Sequence, residues 1–150
     1  MSDMKKVLFA TNVPSPYRVD FFNELGKYCE LTVCFERKTA SDRDVKWKGK
    51  SPENFQAVQL DLKPYKEDRS RGSALKNYIK VHELDVIIFT NYVSPATMSA
   101  ISWCKHHKRP FYIEYDGGFY KKDKFPLNIL KKYLLCGAAG HLTTFDVHIK

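Results

Sequence analysis

Short apolar runs alternate along this chain with stretches of helical spacing, and few folds accommodate such an alternation. The first run, Val7 to Ala10, reads as a buried strand. Ser15 then fits a helix N-cap and Pro16 the first helical position, ahead of Phe21, Phe22, Leu25 and Tyr28. This spacing predicts a helix over Tyr17 to Tyr28. Leu31 to Phe35 is the second strand, residues 37–54 are polar and loop-like, and Phe55 to Leu60 is the third strand. After a basic stretch, Lys63 to Arg71, a helix is predicted over Gly72 to Leu84. Asp85 to Thr90 is a strongly apolar strand, and Ser94 with Pro95 opens a helix to about His107. Pro110 to Tyr115 is a fifth strand, Phe125 to Cys136 a helix stopped by Gly137, and Gly140 to Thr144 a sixth strand. Strands separated by helices imply a parallel sheet covered on both faces. Right-handed crossovers make this a single α/β domain, Rossmann-like and doubly wound. Ligands of such sheets bind at the carboxyl ends of the strands, near the point where strand order reverses. Function is therefore sought in the loops after strands one, four and five.

The 150 residues suit one domain, and 43% of them are apolar, enough for a hydrophobic core. No apolar run approaches the ~20 residues that span a bilayer. The polar Met1 to Lys6 runs into too short an apolar stretch for a signal peptide, so a cytoplasmic location is expected. Twenty-five Lys and Arg against seventeen Asp and Glu give a net charge of +8, which favours anionic partners. The lysines form no motif with interleaved base-stacking aromatics, so no nucleic acid is expected. Cys29, Cys34, Cys104 and Cys136 contain no CxxC pair and read as reduced, mostly buried thiols. No metal site is expected. Neither GxxxxGK[ST] nor GxGxxG occurs, which leaves no standard nucleotide cofactor site. His106 and His107 read as a solvated helix terminus beside Lys105, Lys108 and Arg109. His82 and His141 read as isolated.

An internal echo marks two of the three loops. FATNVPSPY (9–17) and IFTNYVSPA (88–96) match at Thr11, Asn12, Ser15 and Pro16 against Thr90, Asn91, Ser94 and Pro95. With strands one and four adjacent, these loops flank the crevice. Each Ser-Pro pair starts a helix whose free N–H groups attract anions. The same residues are also ordinary helix-start and turn chemistry. Arg18, in the first turn of the first helix, is either solvated or turned toward an anionic group at that helix end. After the fifth strand come Glu114, Tyr115, Asp116, Gly117 and Gly118. Alternation puts Glu114 and Asp116 on one face and Tyr115 on the other. Carboxylates at a buried strand end need partners or a polar cleft. They can accept hydrogen bonds from sugar hydroxyls while aromatic rings stack on sugar faces, and the glycines allow a ligand close. A structural turn accounts for the same residues.

The chain resembles the N-terminal half of GT-B glycosyltransferases, most closely those of family 4. The residues that carry the likeness are KKVLFATNVPSPYRVDFFNEL (5–25), DVIIFTNY (85–92), RPFYIEYDGGFY (109–120) and LKKYLLCGAAGHLTT (130–144). The resemblance implies that residues 1–145 bind the acceptor, residues 146–150 being a truncated tail. A second Rossmann-like domain, absent here, would then hold the nucleotide-sugar donor. The expected activity is transfer of a sugar from that donor to a glycan or lipid-linked acceptor in polysaccharide assembly. Asn12, Ser15, Arg18, Asn91, Glu114, Tyr115, Gly117 and Gly118 are the expected substrate-binding residues. Many relatives place a His-Asp pair after the fifth strand. Here Tyr115-Asp116 stands at that place, so the histidine's role does not carry over and Asp116 alone takes the catalytic position. The competing reading is a non-catalytic Rossmann-like module that binds a phosphorylated small molecule.

Lys121, Lys122 and Lys124 form a candidate membrane edge with Phe119, Tyr120 and Phe125. The helix that follows adds Lys131 and Lys132. Such a basic, partly apolar segment suits a peripheral position on an anionic membrane surface, at its inner face. Most of the leucines of that helix are expected to pack on the sheet.

Overall fold

The structure, a computed structural model, describes residues 3–36, 51–60, 73–90, 92, 94–115 and 124–143. In chain order the elements are β1 Lys6–Thr11, α1 Pro16–Leu25, β2 Glu30–Phe35, β3 Gln56–Gln59, α2 Ala74–Val81, β4 Val86–Phe89, α3 Pro95–His106, β5 Tyr112–Tyr115, α4 Leu127–Leu135 and β6 Gly140–Thr143. The six strands form one sheet in the order β3-β2-β1-β4-β5-β6, every pair parallel. This is a Rossmann-like α/β domain. Strand order reverses between β1 and β4, where the sequence placed the crevice.

Side-chain alternation along the central strands builds two cores. Leu8, Ala10, Cys34, Ile87, Phe89 and Ile113 face α2, α3 and α4 and pack with Leu75, Ile79, Ala100, Ile101 and Cys104. Val7, Phe9, Leu31, Val33, Phe35 and Ile88 face α1 and pack around Phe22. The first face thus carries three helices and the second carries α1 alone among the described residues. Helix α1 stops at Gly26, where a Cβ atom would lie 1.9 Å from the Asn54 carbonyl oxygen. That close approach requires glycine. It lets Asn23 accept from the Glu53 and Asn54 amides and hold the segment leading to β3. The helix ends three residues before the sequence pattern does, because Tyr28 is exposed and adds nothing to the buried face.

Helix α4 departs from expectation. Only Leu134 of its apolar residues is fully buried. Leu127, Ile129, Leu130 and Tyr133 stay exposed, as does Phe125 just before the helix. The spacing of the leucines was that of a packed face, but only Leu134, with Leu135 partly buried beside it, packs against the α3-side core.

Three of the four cysteines are buried and Cys136 is exposed. Burial pushes the Cys34 thiol up to about 12 and the Cys104 thiol up to about 11. At mildly alkaline pH a maleimide is therefore expected to modify Cys136 quickly. The other three should react only on unfolding. Rapid labelling of Cys34 or Cys104 in the native protein would contradict the packing. Both raised values favour the neutral thiol in the folded state. Their contribution to stability is complete below the unfolded value near 9.0 and is lost as pH rises from there toward 11 and 12.

Candidate functional site

The loops after β1, β4 and β5 lie at the carboxyl edge, and the two Ser-Pro loops differ in how they are built. Ser94 caps α3 in the expected way: its hydroxyl accepts from the Thr97 amide at 3.2 Å. Ser15 occupies the same position before α1 with extended backbone, yet its side chain caps nothing. Instead the Ser15 carbonyl accepts from the Arg18 and Val19 amides, and Ser15 itself is buried. The echo in sequence is thus an echo in backbone path and not in capping chemistry.

Arg18 is not solvated. It is buried, and its guanidinium donates two parallel hydrogen bonds to Glu114, 3.0 Å from Nη1 to Oε1 and 2.5 Å from Nη2 to Oε2. The anionic group it faces is therefore a carboxylate of its own chain. The guanidinium carbon also lies 5.6 Å from the ring centre of Phe21 and 5.2 Å from that of Phe22. Alternation on β5 puts Glu114 on the α1 face, which is why the pair meets.

A second carboxylate, Glu36, was not singled out from the sequence. It directly follows β2 and is buried, with its amide bonded to the Thr11 carbonyl at 3.0 Å. Glu36 Oε1 accepts from the Ser94 hydroxyl at 2.6 Å and from the Thr97 hydroxyl at 3.5 Å. The Ser94 and Thr97 hydroxyls also bond to each other. A carboxylate at a helix N-terminus is well placed against the positive dipole end. The only sequence signal was an acid at the very end of an apolar strand.

These two contacts cross the reversal of strand order on opposite faces of the sheet. One runs from the end of β2 to the loop after β4, past β1. The other runs from the end of β5 to the helix after β1, past β4. Thr90 adds a shorter link, its hydroxyl donating to the Ala10 carbonyl at 3.2 Å.

On the α3 face of the edge stands an aromatic row. Tyr92 and Tyr115 meet edge to face, 6.2 Å between ring centres. Tyr115 also stacks with His141 at 5.6 Å, and its hydroxyl lies 3.2 Å from His141 Nδ1. His141 is thus not isolated, as the sequence suggested. Burial, and then the nearby Tyr92, push the Tyr115 phenol upward.

Of the residues named from sequence, Arg18 and Glu114 meet in one ion pair, and Asn12 lies exposed just past β1. Tyr115 lies on the opposite face from Glu114. Asn91, Asp116, Gly117, Gly118, Lys121 and Lys122 lie outside the described residues. Lys124 is exposed ahead of α4. Among the described residues no group of three or more His, Cys, Asp or Glu is placed to hold a metal ion. No described helix is long and apolar enough to cross a membrane.

Fold and edge together define a Rossmann-like α/β domain with a built, polar and aromatic carboxyl edge. No protein-family model matches the chain, and no curated protein matches it.

Proposed function

We propose that the chain is the acceptor-binding domain of a glycosyltransferase that moves a sugar from a nucleotide-sugar to a glycan or lipid-linked acceptor in polysaccharide assembly. The observation that carries this reading is the position of α4. The connection from β5 to α4 starts at the carboxyl edge, so the first turn of α4 lies at the same end of the domain as the crevice. There Phe125, Leu127 and Ile129 are exposed with Lys124, and Lys132 follows, exposed, in the last turn of the helix. An apolar and basic surface beside a polar crevice suits an acceptor whose sugar is tethered to an anionic bilayer. The resemblance to family 4 supports the same reading. It gives Asp116 the catalytic place and puts the donor grip in a second domain.

A phosphorylated small molecule fits the edge less well. The cation in the first turn of α1 already holds the Glu114 carboxylate, and Glu36 already sits at the start of α3. A phosphate arriving there finds the Arg18 guanidinium already engaged by Glu114, and at the start of α3 it meets the Glu36 carboxylate. Sugar hydroxyls meet acceptors instead.

The test uses residues 1–150 by themselves. Vesicles carrying a polyprenyl-linked oligosaccharide are expected to retain the chain more strongly than vesicles of the same charge without the glycan. A panel of nucleotide-sugars is expected to give no transfer. Equal retention with and without the glycan would sink the acceptor role, and robust transfer would overturn the division between two domains.

A further inference from the structure

We propose that Tyr92, Tyr115 and His141 form a subsite for one sugar ring of the acceptor, with the aromatic faces as a stacking surface and the phenol–imidazole pair as its polar rim. This rests on reading the chain as an acceptor-binding domain. Tyr92 follows β4, Tyr115 ends β5 and His141 lies in β6, so three adjacent strands each contribute one ring.

The row is continuous. Tyr115 and His141 lie within 27° of parallel with ring centres 5.6 Å apart, and Tyr92 stands at 67° to Tyr115 with 6.2 Å between centres, as a side wall to that pair. A pyranose presents C–H bonds on its flat faces and hydroxyls around its rim. Its complement is an aromatic plane with hydrogen-bonding groups at the border. The Tyr115 hydroxyl engages Nδ1 of His141, and Nε2 then remains for one more bond. Nε2 accepts when Nδ1 carries the proton and donates when it does not. Either tautomer offers a sugar hydroxyl a partner.

Core packing accounts for one side of two of the rings and not for the third. Tyr92 and Tyr115 rest on the α3-side core and are half-buried, while His141 is exposed. Tyr115 and His141 are diagonal neighbours across the β5–β6 ladder, since Tyr115 aligns with Thr143 and His141 with Ile113. A diagonal pair of this kind steadies an edge strand whether or not a ligand binds. Ligand titration separates the two roles.

The experiment is an NMR titration of the 150-residue chain with methyl glycosides of common hexopyranoses and, separately, with inorganic phosphate. The glycosides are expected to shift the His141 imidazole and Tyr115 ring signals together. Tyr92→Leu and Tyr115→Leu should each weaken binding roughly three- to tenfold. Tyr115→Phe keeps the ring and the fold, and should weaken binding less while moving the His141 signals. Glycoside binding that shifts other residues, with an affinity these substitutions leave unchanged, removes the subsite and leaves the acceptor reading standing. Shifts with phosphate and with no glycoside would overturn both.

Discussion

Glu114→Ala is expected to destabilise the domain by about 3–5 kcal/mol. The reason is the state of its partner. Arg18 is buried, donates two hydrogen bonds to Glu114, and has Phe21 and Phe22 against its guanidinium. Losing the carboxylate leaves a buried cation without its bidentate acceptor. Arg18→Met strands the carboxylate in the same way and should cost a similar amount. The double variant Arg18→Met/Glu114→Leu should recover most of the loss, because two apolar side chains need no partner there. Arg18→Lys keeps the charge but not the fork, and should fall between wild type and Arg18→Met. Urea denaturation of wild type, Arg18→Met, Glu114→Leu and Arg18→Met/Glu114→Leu gives a closed double-mutant cycle. Single effects within about 0.5 kcal/mol of zero, or two large effects that simply add, would show that the pair contributes no coupling.

Lys124→Glu with Lys132→Glu is expected to weaken binding to strongly anionic vesicles by roughly thirtyfold or more. Each basic residue near such a surface contributes about 1 kcal/mol, and reversal adds repulsion to the loss. Both lysines are exposed, so the substitutions should leave the fold intact. The apolar contribution is tested separately with Phe125→Ser and Ile129→Ser, since Phe125 is 76% and Ile129 55% exposed. Each should lower binding at high salt as well as at low salt. The lysine effect should fade as salt screens it. Cosedimentation across a series of anionic-lipid fractions reads both. No binding at low salt to strongly anionic vesicles would remove the membrane surface from the proposed function.

The parallel α/β class was legible because it follows from local periods and from handedness, while the strand order entered only as a condition. Apolar runs separated by helical spacing left few topologies, and the structure has β1 and β4 adjacent, as a crevice between the two echoed loops requires. Strand ends were less sharp. Pro110 and Phe111 read as part of the fifth strand, yet β5 begins at Tyr112, where pairing with β4 and β6 starts. The site was legible as a set of loops and not as a set of contacts. Arg18 and Glu114 are 96 positions apart, and no local pattern pairs them. The need of Glu114 for a partner was readable from its place at a strand end; which partner it found was not. Glu36 ends an apolar run beside a long polar stretch, where an acid passes for a loop residue. The leucines of α4 illustrate the opposite limit. Their spacing shows that a helix has an apolar side, but Leu134 alone is fully buried and Leu135 partly so, while Leu127 and Leu130 are exposed.

The crossed contacts of Glu36 and Glu114 bear on affinity. Side chains that a crevice needs in fixed positions lose rotamer freedom at some stage, about 0.5–1.5 kcal/mol for each long one that is immobilised. Here Arg18, Glu114, Glu36, Ser94 and Thr97 are already held when the domain folds. A ligand that reaches the crevice therefore meets a preorganised floor. Its binding energy then goes into orienting the ligand itself, and under the proposed function that orientation is what this domain would contribute to sugar transfer.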